Sequence, residues 1–391
     1  MNRLVRTMGL ALAFCLCLSA RAAEPSKQPD LTKYKEFALR VQKLVREDKR
    51  DELANCFDDK VFFERAFHNL LLPDYVRESH EEMIKKKKVA HDLAKQFCET
   101  AQRDGSSYAL MRVRMVKGQP RALFRLIINN NALNYNDLVL ATDTAGALRV
   151  VDVYVALSGE FASESVRRIT CLVAGRDPKQ AEQWKGGNDL LKHAVRFNRF
   201  MENTRTGRYR EALKEWDSLP PTLRKEKPTA LMHVIATEGL IDENEKDYEK
   251  AFEDFRKAFP DDPALDLLSL NTLLRKHKFR AYQRSLDHIE LVYGRDPYLD
   301  VLRAHGSVQD GKLDEAKKIA QQAIKDEPDL IEGYWMLVTI SLRMREHKET
   351  ARLLTDIEKR FKIEFKDLTN IKEYSHFVKS PEYKKWMEQR K

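Results

Sequence analysis

Residues 248–263 read YEKAFEDFRKAFPDDP, and residues 313–328 read LDEAKKIAQQAIKDEP. Both open on a Glu-x-Ala or Glu-Ala pair and end on an acidic residue followed by proline. A small residue at Ala251 or Ala316 lets one helix approach another closely, and the closing proline ends the helix because it lacks the N–H that the next turn would need. The pattern extends in both directions. Tyr209-Arg210-Glu211-Ala212 leads to Trp216, and Ala351, at the end of His347-Lys348-Glu349-Thr350-Ala351, follows Trp335 by 16 residues. Ala251 and Ser285 lie 34 residues apart, as do Pro263 and Pro297, while Ser285 to Ala316 is 31 and Ala316 to Ala351 is 35. Asp261-Asp262-Pro263, Arg295-Asp296-Pro297 and Asp326-Glu327-Pro328 are one stop signal written three times.

The combination of Ala, aromatic and Pro positions at this period resembles the tetratricopeptide repeat, whose second helix carries A-x3-F and a closing Pro. The resemblance implies five helical hairpins at about 193–226, 232–265, 266–299, 297–330 and 332–365, stacked as a solenoid. Each hairpin buries its apolar face only against its neighbours. Residues 366–391, with Phe377, Tyr383 and Trp386 in a polar context, are expected to cap the open end.

In the resembled family the first helix of each repeat lines the concave face. That places Phe197 and Met201, then His233, Ala236 and Leu240, on the groove of the first two hairpins. The later hairpins would present Leu267, Leu270, Asn271, Leu274, Val301, His305, Met336, Ile340 and Met344. The family's carboxylate clamp needs lysines and arginines that are missing here, so an apolar or helical protein segment is the expected occupant of the sites from Leu270 to Met344. The alternative is that these side chains pack against the chain's own N-terminal domain or C-terminal cap.

Residues 31–175 read differently. Leu31–Arg46 has Phe37, Val41 and Val45 on one helical stripe. Glu52–Phe57 and Val61–Leu71 are further short helices, and Ser79–Arg103 reads as one long charged helix containing Lys85–Lys88. The period then changes to two: Tyr108–Val116, Arg121–Asn129, Asn134–Thr142 and Leu148–Leu157 are expected strands. The expected fold class is therefore an α+β domain followed by an all-α solenoid, joined by a polar link at 176–192. The order of helices then meander resembles the nuclear-transport-factor-two-like cone fold, which implies a curved sheet wrapped on a helix and, in some members, a pocket.

If Asp143–Gly146 is a four-residue loop, Asp137 lies opposite Asp152, with Tyr154 beside them. Two close carboxylates push one pKa upward, the basis of a general acid–base pair and of a lyase- or isomerase-like alternative function. The competing reading pairs both with cations, Arg112 and Arg125 facing them if Lys117–Pro120 is also a four-residue loop. His80-Glu81-Glu82 lacks the second histidine of a zincin helix, so no metal and no cofactor is expected. The Lys85–Lys88 run, spread around a helix, suits a solvated face, so no nucleic-acid partner is expected.

Residues Met1–Ala23 carry Arg3 and Arg6, an apolar core at Met8–Leu18 and Ala20-Arg21-Ala22, which reads as a secretory signal cleaved after Ala22. The core is too short to span a bilayer, and no transmembrane span is expected. Cleavage would leave Cys56, Cys98 and Cys171 of the five cysteines and lower the net charge from +9 to +6. Three cysteines do not make a disulfide scaffold. The expected protein is exported, periplasmic or secreted, and more a protein-binding scaffold than an enzyme.

Overall fold

The computed structural model describes residues 30–129, 132–184 and 189–390. The leader read at Met1–Ala22 lies outside the described residues. Five helices come first: α1 (Thr32–Arg46), α2 (Arg50–Ala54), α3 (Asp59–Ala66), α4 (Asp74–Lys85) and α5 (Lys88–Ala101). The single helix expected over Ser79–Arg103 is two. Lys87 takes a left-handed φ of +48° and breaks it. The buried Asp59 carboxylate holds the break by accepting from the N–H groups of Val89 (3.1 Å) and Ala90 (3.0 Å) at the start of α5. The four lysines therefore straddle a helix end rather than circling one helix.

A five-stranded antiparallel meander follows: β1 (Ser107–Val116), β2 (Gln119–Ile128), β3 (Ala132–Thr142), β4 (Leu148–Val155) and β5 (Glu160–Phe161). The fifth strand is absent from the expectation, which ended the sheet at Leu157. Both expected loop lengths need correction. The β1–β2 connection is the two residues Lys117 and Gly118, at φ +50° and +77°, because two positive-φ residues match the twist of the flanking strands. Arg112 then pairs with Leu123 and Arg125 with Ala109, so the two arginines are not opposite. Thr142 pairs with Leu148, making the β3–β4 loop five residues, and a bulge shifts the register between Val139 and Leu140. Asp137 faces Tyr154, and Asp152 faces Val139.

Both faces of the sheet are buried. Ala122, Phe124 and Leu126 of β2 point to one side, where they pack with Leu138 and Leu140 against Val41, Val45, Ala94 and Phe97 of the helices. Leu123 and Ile127 point to the other side with Leu133 and Tyr135. That second face meets the helical array.

After α6 (Ala162–Ala174) and the short turns α7 (Pro178–Ala181) and α8 (Asp189–Lys192), the chain forms helix pairs. These are α9 (Ala194–Arg205) with α10 (Tyr209–Asp217) and, after the turn α11 (Pro221–Arg224), α12 (Lys227–Glu238) with α13 (Glu245–Ala258). Next come α14 (Ala264–Arg275) with α15 (Phe279–Tyr293), α16 (Pro297–Gln309) with α17 (Leu313–Asp326), and α18 (Ile331–Arg343) with α19 (His347–Phe361). Ala212, Ala316 and Ala320 are fully buried at the contacts within and between pairs. The last helix, α20 (Pro381–Glu388), brings Tyr383 and Trp386, with Phe377 just before it, onto Leu337, Ile340 and Leu354 of the fifth pair. No helix among the described residues is long and apolar enough to cross a membrane.

Candidate functional site

The proline-terminated loops do more than end helices. Each delivers a carboxylate to the sheet. Asp262 accepts from the Tyr154 hydroxyl (2.6 Å) and from Lys227 Nζ (2.6 Å). Asp296 accepts from Arg125 (2.6 Å) and from the Tyr135 hydroxyl (2.6 Å) while capping α16 through the Tyr298 N–H. Glu327 takes the Arg125 guanidinium through two bonds of 2.6 and 2.9 Å. Arg125 and Asp296 side chains are 2% and 1% exposed, so this is an ion pair removed from water. Its strength depends on the full set of hydrogen bonds, since a buried charge left unpaired costs several kcal/mol. Arg112 reaches the same seam and donates to the Arg295 carbonyl. Gly294, at φ +79°, leaves the space that the guanidinium fills; a side chain there would collide with it.

These contacts seat the sheet on the array's third and fourth helix pairs. Leu267, Leu270 and Leu273 of α14 and Tyr298 and Val301 of α16 share one buried cluster with Leu123, Ile127, Leu133 and Tyr135. The helix face expected to line the groove is thus partly occupied by the chain's own sheet. What remains is a cleft of about 640 Å³ at the edge of the seam. The sheet side contributes Ala132, Leu133 and Leu157. The array contributes Leu270, Asn271 and Leu274 from α14, Val301, Leu302 and His305 from α16, and Glu332, Trp335, Met336 and Thr339 from α18.

The expected stripe is accordingly divided. Leu270, Asn271, Leu274, Val301, His305 and Met336 do come together at the cleft. Leu270 and Val301 are buried in its floor, Leu274, His305 and Met336 are half-buried, and Asn271 is exposed. Ile340 is fully buried and Met344 half-buried in a different cluster, which also holds Phe377 and Trp386 of the C-terminal segment. Phe197 and Ala236 are buried core, packed with Cys171, Leu172 and Trp184. His233 lies elsewhere, stacked on Trp216 at 4.0 Å; burial holds its imidazole down at about 4.

The sheet carboxylates do not form an acid–base pair. Asp137 accepts from Arg114 (3.0 Å) and Arg121 (3.1 Å). Asp152 accepts from Arg65 (2.9 Å) and from the Ser163 hydroxyl (2.6 Å). Cations do neutralise both, but they are Arg114, Arg121 and Arg65 rather than Arg112 and Arg125. The five-residue β3–β4 loop, the bulge beyond it and the two-residue β1–β2 turn account for the change of partners. Tyr154 is committed to Asp262, and burial beside that carboxylate pushes its hydroxyl pKa far up. Each of the three is thus engaged by partners within the chain, and burial raises the pKa of Asp137 against the pull of Arg114 and Arg121. Among the described residues no three His, Cys, Asp or Glu side chains converge as a metal site.

Two residues at the seam have roles that differ from the sequence expectation or lie outside it. Arg125 is a lone cation inside the apolar run 122–128 of β2, a signal that both strand faces are buried. Glu332 sits in the first turn of α18, where a carboxylate is ordinary for a helix N-terminus and draws no notice.

No family model and no curated protein matches the chain. Solved structures with a partial likeness include "MamA RS-1 ArsTM double mutant" (18% identity, 45% of this chain and 96% of that one, TM-score 0.36). Another is "MamA MSR-1 C2" (13% identity, 44% of this chain and 98% of that one, TM-score 0.33).

Proposed function

We propose that the chain is an exported protein-interaction module and that the cleft between α14, α16, α18 and the sheet edge receives an apolar segment of a partner protein. The observation that carries this reading is the cleft itself. The sheet covers part of the concave face, and the trough left beside it keeps Leu274, Trp335 and Met336 only half-buried. Apolar surface concentrated in a concave trough marks a binding site. Leu274→Glu tests it. Leu274 is half-buried, so a glutamate there keeps access to water in the free protein and loses it only when a partner covers the cleft. The variant is expected to fold with an unchanged thermal midpoint and to lose a partner captured by the wild-type chain. Retention of that partner by folded Leu274→Glu protein would refute the assignment.

A further inference from the structure

We propose that the segment bound in this cleft carries a lysine or arginine side chain next to its apolar anchor, the cation meeting the carboxylate of Glu332. This rests on the cleft being a partner-binding site, and it specifies the chemistry of that partner.

The first observation is one-sided charge. Among the described lining residues there is no lysine or arginine, and Glu332 is the one carboxylate. A cleft built to hold a peptide's carboxylate would need the opposite. The second observation is that, among the described residues, Glu332 has no ion pair of its own. Beyond its own backbone N–H, no described residue donates to it. The guanidinium nearby, Arg125, is already used by Asp296 and, through two bonds, by Glu327. Three carboxylates therefore share one cation at this end of the seam. Burial and the negative charges of Glu327 and Asp296 raise the pKa of Glu332, against the pull of Arg125. A cation arriving from outside would relieve that strain on the charged form.

The third observation is the approach. Trp335, Met336 and Tyr298 line the cleft together with Glu332. Lysine and arginine have long methylene stems that bury against apolar walls while the head stays with a polar partner. An indole beside the path adds a favourable face for the cation. A short ammonium group without a stem would not fill this space. His305, across the cleft, is held toward the neutral form by burial and by Arg343, so it does not compete as a positive charge.

The experiment selects short random peptides, joined to spacers at both ends, on the full-length chain. A recovered peptide is then measured by calorimetry against wild type, Glu332→Gln and Leu274→Glu. Recovered sequences are expected to carry Lys or Arg within one helical turn of a Leu, Ile, Phe or Met. Replacing that cation by norleucine should weaken binding about tenfold or more, the size of a hydrogen-bonded charge contact. Glu332→Gln should weaken the parent peptide by a similar factor and leave the norleucine peptide unaffected. Apolar peptides without an enriched cation, or a norleucine effect that persists in Glu332→Gln, would overturn the inference and leave the cleft assignment standing. Absence of any enriched peptide, or binding that survives Leu274→Glu, would overturn the cleft assignment and this inference with it. The substitution on the peptide keeps the test decisive even if Glu332→Gln is poorly folded.

Discussion

Arg125→Met removes the cation at the centre of the seam while keeping an unbranched side chain of related length. The wild-type guanidinium holds Asp296 at 2.6 Å and Glu327 at 2.6 and 2.9 Å. Asp296 is 1% exposed, so its carboxylate loses its ion pair without gaining water. Glu327, at 30%, recovers part of its hydration. Breaking a buried pair on one side costs roughly 3–5 kcal/mol, and the fully buried Asp296 puts this site inside that range rather than at the value for surface pairs of about 0–1 kcal/mol. A domain with a net stability of about 5–15 kcal/mol would lose a large share of it. Urea unfolding followed by far-ultraviolet circular dichroism measures the loss. Adding Asp296→Asn and Glu327→Gln to Arg125→Met should recover most of it, because the unpaired charges are then gone. Asn also preserves the cap on α16. A loss below about 1 kcal/mol for Arg125→Met, or a triple variant no more stable than the single one, would show that this ion pair does not hold the sheet to the array.

Three further outcomes follow from other sites. Ala316→Leu, at a position with no exposed surface, should overpack the contact between α16 and α17 and cost about 1–3 kcal/mol, read as a lowered thermal midpoint, with Ala251→Leu behaving alike. His233 has its pKa lowered from 6.5 to about 4, mainly by burial, with Asp254 and Asp247 opposing and Arg224 and Lys250 assisting. Because the folded value lies below the unfolded one, the stability is present above about pH 6.5 and is lost as the pH falls toward 4. That window should contain a fall of about 2 kcal/mol in unfolding free energy, allowing for partial exposure, and His233→Phe, which keeps the stack on Trp216, should flatten it. Protein recovered from its native host is expected to begin at Ala23, and an intact Met1 or Asn2 on N-terminal sequencing would refute export.

The helix pairs and the strands were legible because each is written as a period. Alanine and proline recurring near 34 residues mark the pairs, and alternation marks β1 to β4. Register was not legible, because it depends on one residue at each turn. Gly118 can adopt positive φ next to Lys117, which shortens the first hairpin loop to two residues and moves Arg112 away from Arg125. The five-residue β3–β4 loop and the bulge between Val139 and Leu140 together do the same to Asp137 and Asp152. The filled groove had a signal that went unread. Residues 122–128 of β2 are apolar at every position but Arg125, which is the pattern of a strand buried on both faces, and a single arginine in such a run requires a buried carboxylate partner. The acidic residues of the proline loops read as part of a stop signal, so their second role toward the sheet had no separate mark in the sequence. Glu332 has no ion pair of its own among the described residues, a fact that only the assembled cleft displays.

The division of the concave stripe into a covered part and an open part is the centre of this account, and thiol reactivity measures it directly. In protein beginning at Ala23 the remaining cysteines, Cys56, Cys98 and Cys171, are all buried, so a low background with a maleimide reagent is expected. Single cysteines placed at Leu274, Val301 and Ile340 sample the cleft wall, the cluster shared with the sheet and the cluster shared with the C-terminal segment. Under native conditions rapid labelling is expected at position 274 and slow labelling, limited by unfolding, at positions 301 and 340. Equal and rapid labelling at all three would mean that neither the sheet nor the C-terminal segment covers the groove, and would contradict that division.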